Sequence, residues 1–135
     1  MNERETALVK KSWKIIGKIN PVLVGDVFYS KLFLDTPELK SMFKTSRDEQ
    51  SRKLMTMLTM IVAGLDRLDE LKENIRQLSI RHQHYGVENW HYDKVGTALL
   101  WTLEHALGND YNEETKQAWI QCYSELSAAM KQVVE

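Results

Sequence analysis

One histidine lies on an apolar helical stripe in the segment 71–87. At about 100° per residue, an α-helix places on one face the side chains of Leu71, Ile75, Leu78 and His82. The imidazole of His82 is therefore predicted to point inward, and a buried imidazole needs a partner for each ring nitrogen. Most such histidines form hydrogen bonds within the core. The alternative partner is a metal, such as the iron at the centre of a large planar cofactor.

Two further polar side chains are predicted to face the interior. Gln50 lies on the apolar stripe of the helix predicted for 47–65, and an unsatisfied buried amide costs about 1–3 kcal/mol. Its partner is either a bound ligand or, because Gln50 is close to the helix start, solvent or a loop carbonyl. Tyr29 lies on a helix that is apolar on two sides, and its buried hydroxyl also needs a partner.

Other site chemistry is poorly supported by the sequence. A zinc site needs several ligands, and the chain has four histidines: His82, His84, His91 and His105. However, His84 lies about 160° around the helix from His82, His105 falls on a polar side, and no Cys-x-x-Cys motif is present. Cys122 has no obvious activating neighbour, so we expect it to be inert packing.

Helix start and stop signals divide the chain into six to eight helices, and no alternating strand pattern is present. Asn20-Pro21 and Thr36-Pro37 each place a capping residue before proline, which favours the first helical position. The remaining predicted starts are Asn2, Ser46 with Glu49 in a capping box, Asp66–Asp69, Asn89–His91 and Asn112, and the predicted ends include Leu65, Gly86 and Gly108. The sequence predicts an all-α protein with one domain over residues 1–135.

Composition narrows the classes of partner. Eighteen basic and nineteen acidic residues are interspersed and give a net charge of −1, so neither nucleic acid nor an anionic membrane surface is an expected partner. No apolar run approaches the roughly 20 residues that span a bilayer. The first residues contain Glu3 and Glu5 and have no apolar core typical of a signal peptide. The single cysteine fits a reducing cytoplasm, which is the expected location.

Several segments, taken together and in order, resemble the globins. They are VFYSKLF at 27–33, TPEL at 36–39 with Phe43, EQ at 49–50, RHQHYGV at 81–87, HYDKVG at 91–96 with LL at 99–100, and AW at 118–119 with Tyr123. The similarity is greatest to bacterial single-domain haemoglobins and to the globin part of flavohaemoglobins, and it covers essentially the whole chain. It implies a globin fold that encloses haem b.

The resemblance also implies roles for individual residues. His82 would be the proximal ligand of the haem iron, and Phe43 would stack on the haem. Tyr29 and Gln50 would lie on the distal side, with Leu54 leaning over the iron. Further pocket-lining residues, which helical spacing alone would class as ordinary core, are Met57, Leu58, Val87, Tyr92, Val95 and Leu99.

Details of both sides of the haem follow from the same resemblance. Gly25 and Ser51 would let two distal helices cross closely. The second nitrogen of His82 is expected to donate to a carbonyl one turn back, near Leu78. Flavohaemoglobins reinforce the proximal histidine with a tyrosine and a glutamate. Tyr92 matches the tyrosine, but the glutamate position falls on Val134 with Glu135 one residue away, so Tyr92 is either a packing residue or one that tunes the iron.

The resemblance implies a protein that binds dioxygen, nitric oxide and carbon monoxide at ferrous haem. Because Tyr29 and Gln50 can both donate to bound dioxygen, which gains negative character, we expect high oxygen affinity. The alternative is a nitric oxide dioxygenase that forms nitrate. No flavin or nicotinamide domain fits within 135 residues, so this enzyme would need an external reductase. A haem-based sensor ranks third.

Overall fold

Six α-helices account for most of residues 1–131, the part of the chain that this computed structural model describes. They are α1 (Glu3–Ile16), α2 (Pro21–Asp35), α3 (Arg47–Ala63), α4 (Leu68–His84), α5 (Asn89–Leu107) and α6 (Glu113–Lys131). Short 3-10 helices cover Pro37–Met42, Leu65–Arg67 and Gly108–Asp110. The all-α prediction is confirmed. Within these residues no helix has the length and apolar character needed to cross a membrane.

Local capping chemistry explains where several helices begin and end. Asn2 and Glu5 form a reciprocal capping box at α1, and the side chain of Asn20 accepts from the backbone N–H of Val22 before Pro21 opens α2. The α5 helix ends at Gly108, whose φ of 56° lies in the left-handed region that favours glycine. These starts and this end agree with the sequence prediction.

Other predicted boundaries need correction. Ser46 accepts from the backbone N–H of Glu49, but the return bond of the predicted capping box is absent from the bonds of residues 1–131. The α3 helix ends at Ala63 instead of Leu65, because the chain tightens into the 3-10 turn Leu65–Arg67 and α4 then starts at Leu68, inside the predicted 66–69 window.

One predicted cap is not formed within residues 1–131, and one helix has a cap that was not predicted. Thr36 precedes the 3-10 helix but makes no side-chain cap bond. Its backbone N–H donates to the carbonyl of Leu32 at the end of α2. The α5 helix begins at Asn89, inside the predicted 89–91 start, and Glu88 caps it through reciprocal bonds with His91, whose Nδ1 accepts from the Glu88 N–H at 2.9 Å.

The helix α2 is packed between α3 and α5, and α1 packs mainly against α6. At the crossing of α2 and α3, a Cβ atom on Gly25 would lie 2.3 Å from the Cβ of Ser51, so the two backbones approach as closely as the sequence predicts. Two indole hydrogen bonds join α1 to its neighbours. Trp119 on α6 donates to Ser12 at 2.8 Å, and Trp13 donates to Thr59 on α3 at 3.1 Å. This packing holds α3 against α2, while α4 packs on α6.

Candidate functional site

The helix α4 is anchored on α6 by a buried hydrogen bond and a small apolar cluster. Ser79 is fully buried, and its hydroxyl donates to the main-chain carbonyl of Met130 at 2.6 Å. Ile75, one turn earlier, packs with Met130. The last turn of α4, which carries His82, is therefore held at a defined position.

The half-buried imidazole of His82 has one of its two nitrogens engaged by its own helix. Its Nδ1 lies 2.8 Å from the carbonyl oxygen of Leu78, as the sequence predicts. Because a carbonyl can only accept, this bond assigns the proton to Nδ1 and leaves a lone pair on Nε2. No hydrogen-bond partner for Nε2 is present within residues 1–131.

The surroundings of His82 also keep its ring neutral. Burial lowers its pKa most, the Leu78 carbonyl opposes this shift, and the charge of Arg81 lowers the pKa further. A neutral imidazole with a free Nε2 is the form that binds a metal. By contrast, His84 on the same helix is exposed, in agreement with the sequence prediction.

Tyr29 lies at the centre of an aromatic cluster on α2 and its neighbours. Its ring centroid is 4.9 Å from Phe28, 5.8 Å from Phe33 and 5.2 Å from Phe43. Its hydroxyl donates to the main-chain carbonyl of Gln50 across 3.4 Å, a distance beyond the usual range for O–H donors. Burial raises the pKa of Tyr29 to about 12, so the hydroxyl remains protonated at neutral pH.

Gln50 is half-buried, and its amide is directed toward the loop that precedes α3. Its Nε2 donates to the Thr45 hydroxyl at 2.5 Å. The sequence left two kinds of partner open for this amide: a bound ligand, or else solvent or a loop carbonyl. In the structure the partner lies in the loop, and it is a side-chain hydroxyl instead of a carbonyl. Gln50 and Tyr29 do border one cavity of about 220 Å³, whose lining residues are Tyr29, Phe33, Lys40, Phe43, Thr45, Arg47 and Gln50.

A second cavity, of about 200 Å³, lies between α3 and α4 and has both Met57 and Leu78 in its wall. The helix α3 therefore borders one cavity at its start and another on the side that faces α4.

Most of the predicted apolar lining residues are only half-buried, although each packs against a core cluster: Phe43, Leu54, Met57, Val87 and Val95. Leu58 and Leu99 are fully within the main core.

Tyr92 belongs to the apolar cluster that joins α4, α5 and α6. Its ring packs with Ile75 and Met130, and burial raises the pKa of its hydroxyl. Its main-chain carbonyl accepts from the Tyr123 hydroxyl at 2.6 Å. These contacts favour a packing role, and the predicted position of a partner carboxylate, at residues 134 and 135, lies outside the described residues.

Two residues that shape the site were not predicted from the sequence. Ser79 follows Ile75 by four residues, so its place on the inward face was available from the periodicity. Thr45 lies in a loop, and no sequence pattern indicates that it contacts Gln50.

The alternative zinc site does not assemble. No group of three or more His, Cys, Asp or Glu residues is arranged to hold a metal ion within residues 1–131. The Nδ1 of His91 serves the α5 cap, and that of His105 bonds to the carbonyl of Trp101. The thiol of Cys122 is buried and its pKa is raised to about 12, in agreement with an inert packing role.

Comparison with known proteins identifies the family. The model of the globin family matches residues 26–130. Neuroglobin from Chaenocephalus aceratus is 32% identical, with 98% of this chain and 91% of that protein covered. The chain belongs to the globin family, whose members bind haem and diatomic gases such as dioxygen.

Solved structures of bacterial proteins share the fold. A bacterial globin from Campylobacter jejuni superimposes with a TM-score of 0.86 at 24% identity, covering 98% of this chain and 95% of that one. An engineered carbene transferase made from a putative nitric oxide dioxygenase of Rhodothermus marinus gives a TM-score of 0.87 at 27% identity, covering 98% and 92%. The globin fold expected from the sequence is therefore confirmed.

Proposed function

We propose that this globin binds haem b through Nε2 of His82 and uses it to bind dioxygen reversibly and with high affinity. Nitric oxide and carbon monoxide are the other proposed ligands. The observation that carries the proposal is the state of His82: a neutral, half-buried imidazole whose Nδ1 is fixed on Leu78 and whose Nε2 has no partner within residues 1–131.

The residues present fit haem. The Nε2 of His82 would hold the haem iron, and the hydrogen bond from Nδ1 to Leu78 would fix the orientation of the ring. The half-buried side chains of Phe43, Leu54, Met57 and Val95 offer apolar surface that a planar hydrophobic group would remove from water. When bound, haem would supply a ferrous iron that binds diatomic gases.

Tyr29 is the proposed source of high affinity. Its hydroxyl is protonated at neutral pH, and its bond to the Gln50 carbonyl is long, so this donor is available to a ligand with negative character. The rings of Phe28, Phe33 and Phe43 pack around the Tyr29 ring and keep its hydroxyl in place. Gln50 is the second proposed donor, although its amide now bonds to Thr45.

Repeated oxygenation tests this function. The purified, haem-loaded protein is reduced, exposed to oxygen and then flushed with argon over several cycles, while its absorption spectrum is recorded. Reversible change between two spectra, with slow oxygen release, is expected. Immediate oxidation in every cycle would contradict an oxygen-binding role.

A second candidate is a nitric oxide dioxygenase, favoured by the 27% identity to a chain derived from a putative enzyme of that type. The overall reaction, NO + O₂ + e⁻ → NO₃⁻, needs one electron per turnover, which a separate reductase would supply. Nitrate yield per nitric oxide consumed, measured with and without cell extract as the reductant, tests this role. Turnover limited to one equivalent in both conditions would exclude it.

We also propose that residues 1–135 form one globin domain and that the protein is cytoplasmic. The second proposal is supported by a single cysteine whose thiol is buried and unpaired.

A further inference from the structure

A hydrogen bond links the loop before α3 to the second turn of that helix. The Gln50 amide donates to the Thr45 hydroxyl at 2.5 Å. Ser46, the residue after Thr45, caps α3 by accepting from the backbone N–H of Glu49 at 3.2 Å. Thr45 is therefore held next to a capped helix start, and its hydroxyl is placed where the Gln50 side chain can reach it.

This hydrogen bond lies in the wall of the cavity that Tyr29 also borders. Tyr29, Thr45 and Gln50 all line this space of about 220 Å³. The Tyr29 hydroxyl is 3.4 Å from the main-chain oxygen of Gln50, so the backbone of Gln50 is beside the tyrosine while its amide points to Thr45. The Gln50 amide, one of the two proposed donors, is therefore already bonded to Thr45.

Arg47 keeps the neighbouring wall in place. Its guanidinium pairs with Asp26 at 2.8 Å and contacts the Ser30 hydroxyl at 3.2 Å, which ties the start of α3 to α2. It also lies over the Phe33 ring, 5.3 Å from the centroid. Because the backbone at the start of α3 is fixed, the direction of the Gln50 amide is set by its side-chain torsions and by the hydroxyl of Thr45.

We propose that Thr45 is a positioning residue that holds the Gln50 amide on its own hydroxyl and so keeps this amide from donating to a gas bound beside Tyr29. This inference rests on the proposed function, because it concerns how the pocket retains oxygen. Gln50 then strengthens oxygen retention only when its bond to Thr45 opens, and Tyr29 is the donor that acts at all times. The strength of the Thr45–Gln50 bond sets the balance between the two arrangements.

A matched pair of substitutions tests the role of the hydroxyl. Thr45→Val keeps the size and branching of the side chain but removes the hydroxyl, whereas Thr45→Ser keeps the hydroxyl. Since a neutral hydrogen bond shifts an equilibrium by about twofold to tenfold, Thr45→Val should slow oxygen release by up to about tenfold, and Thr45→Ser should stay within about twofold of the parent. Equal rates in the two variants would overturn the proposal.

The effect must also depend on Gln50. In a Gln50→Leu background, Thr45→Val should leave the rate of oxygen release unchanged, because no amide remains to be freed. If Thr45→Val still slows release in that background, Thr45 acts through something other than Gln50 and the proposal fails. Circular dichroism of each variant verifies that the helices are intact.

A readout independent of oxygen kinetics separates this inference from the proposed function. In ¹⁵N-labelled protein with carbon monoxide bound, the side-chain amide signals of Gln50 are assigned by their loss in Gln50→Leu. They should shift in Thr45→Val and remain close to the parent in Thr45→Ser. Signals that do not respond to Thr45→Val would overturn the positioning role even if oxygen binding is normal. If the protein binds no gas, the same experiment on the gas-free chain still reports the hydrogen bond.

Discussion

Replacing Tyr29 with phenylalanine removes one hydroxyl and leaves the packing of the aromatic cluster around Tyr29 in place. The rings of Phe28, Phe33 and Phe43 all lie within 5.8 Å of the Tyr29 ring, centroid to centroid, and phenylalanine preserves these contacts. The only hydrogen bond lost within the described residues is the 3.4 Å bond to the Gln50 carbonyl. The substitution therefore isolates the donor function of the hydroxyl.

The size of the effect follows from the strength of that donor. A hydrogen bond to an acceptor with negative charge contributes about 1.5–3 kcal/mol, and each 1.4 kcal/mol changes a rate or equilibrium constant tenfold. The bond that Tyr29 gives up is too long to offset much of this contribution. Oxygen release from Tyr29→Phe should be faster by about tenfold to about 150-fold.

Stopped-flow displacement of oxygen by carbon monoxide measures this rate directly. The association rate of carbon monoxide serves as the internal control, because this less polarised ligand gains less from a donor. Oxygen release within twofold of the parent would refute the role of Tyr29, and an equal change for both gases would indicate altered access instead.

Three further predictions concern proton binding, packing and thiol reactivity. Because burial raises the pKa of Tyr29 to about 12, its hydroxyl keeps its proton and the oxygen release rate should be flat from about pH 6 to pH 10; a rise through neutral pH would contradict this assignment. Gly25→Ala would place a Cβ 2.3 Å from the Cβ of Ser51 and should lower the free energy of unfolding in urea by about 1–3 kcal/mol, whereas the control Gly17→Ala meets only atoms 3.5 Å or more away and should change it by less than about 0.5 kcal/mol. Burial raises the pKa of the Cys122 thiol to about 12, so iodoacetamide should label it much more slowly at pH 8 in the native protein than in urea; equal rates would show that the thiol is accessible.

Much of the fold was predictable because its signals are local. Asn20-Pro21 and the glycine at 108 fix backbone geometry within a few residues, so the helix start and end that they predict agree with the structure. The inward face of α4 was equally accessible, since Ile75, Leu78 and His82 repeat at helical spacing. The bond from His82 to Leu78 follows from the same one-turn spacing.

The features that sequence reasoning missed depend on contacts across loops or between helices. The Thr45–Gln50 bond requires the geometry of a loop, and the contact of Ser79 with Met130 joins residues 51 positions apart. The role of His91 in the α5 cap was missed because histidine is an unusual partner for Glu88 in a capping box. Helical periodicity predicts the face on which a side chain lies, but it does not identify the atom that the side chain contacts.

The most direct test of the account is the absorption spectrum of the haem-loaded protein in its ferric, ferrous and carbon monoxide forms, compared with that of His82→Ala. The account predicts a strong Soret band in the parent that shifts with carbon monoxide, and weak, nonspecific haem uptake in His82→Ala that exogenous imidazole partly restores. The variant His84→Ala removes an exposed imidazole from the same helix and should retain the parent spectrum. An unchanged Soret band in His82→Ala, or a colourless parent protein despite ample haem, would contradict the central claim that the Nε2 of His82 binds the iron.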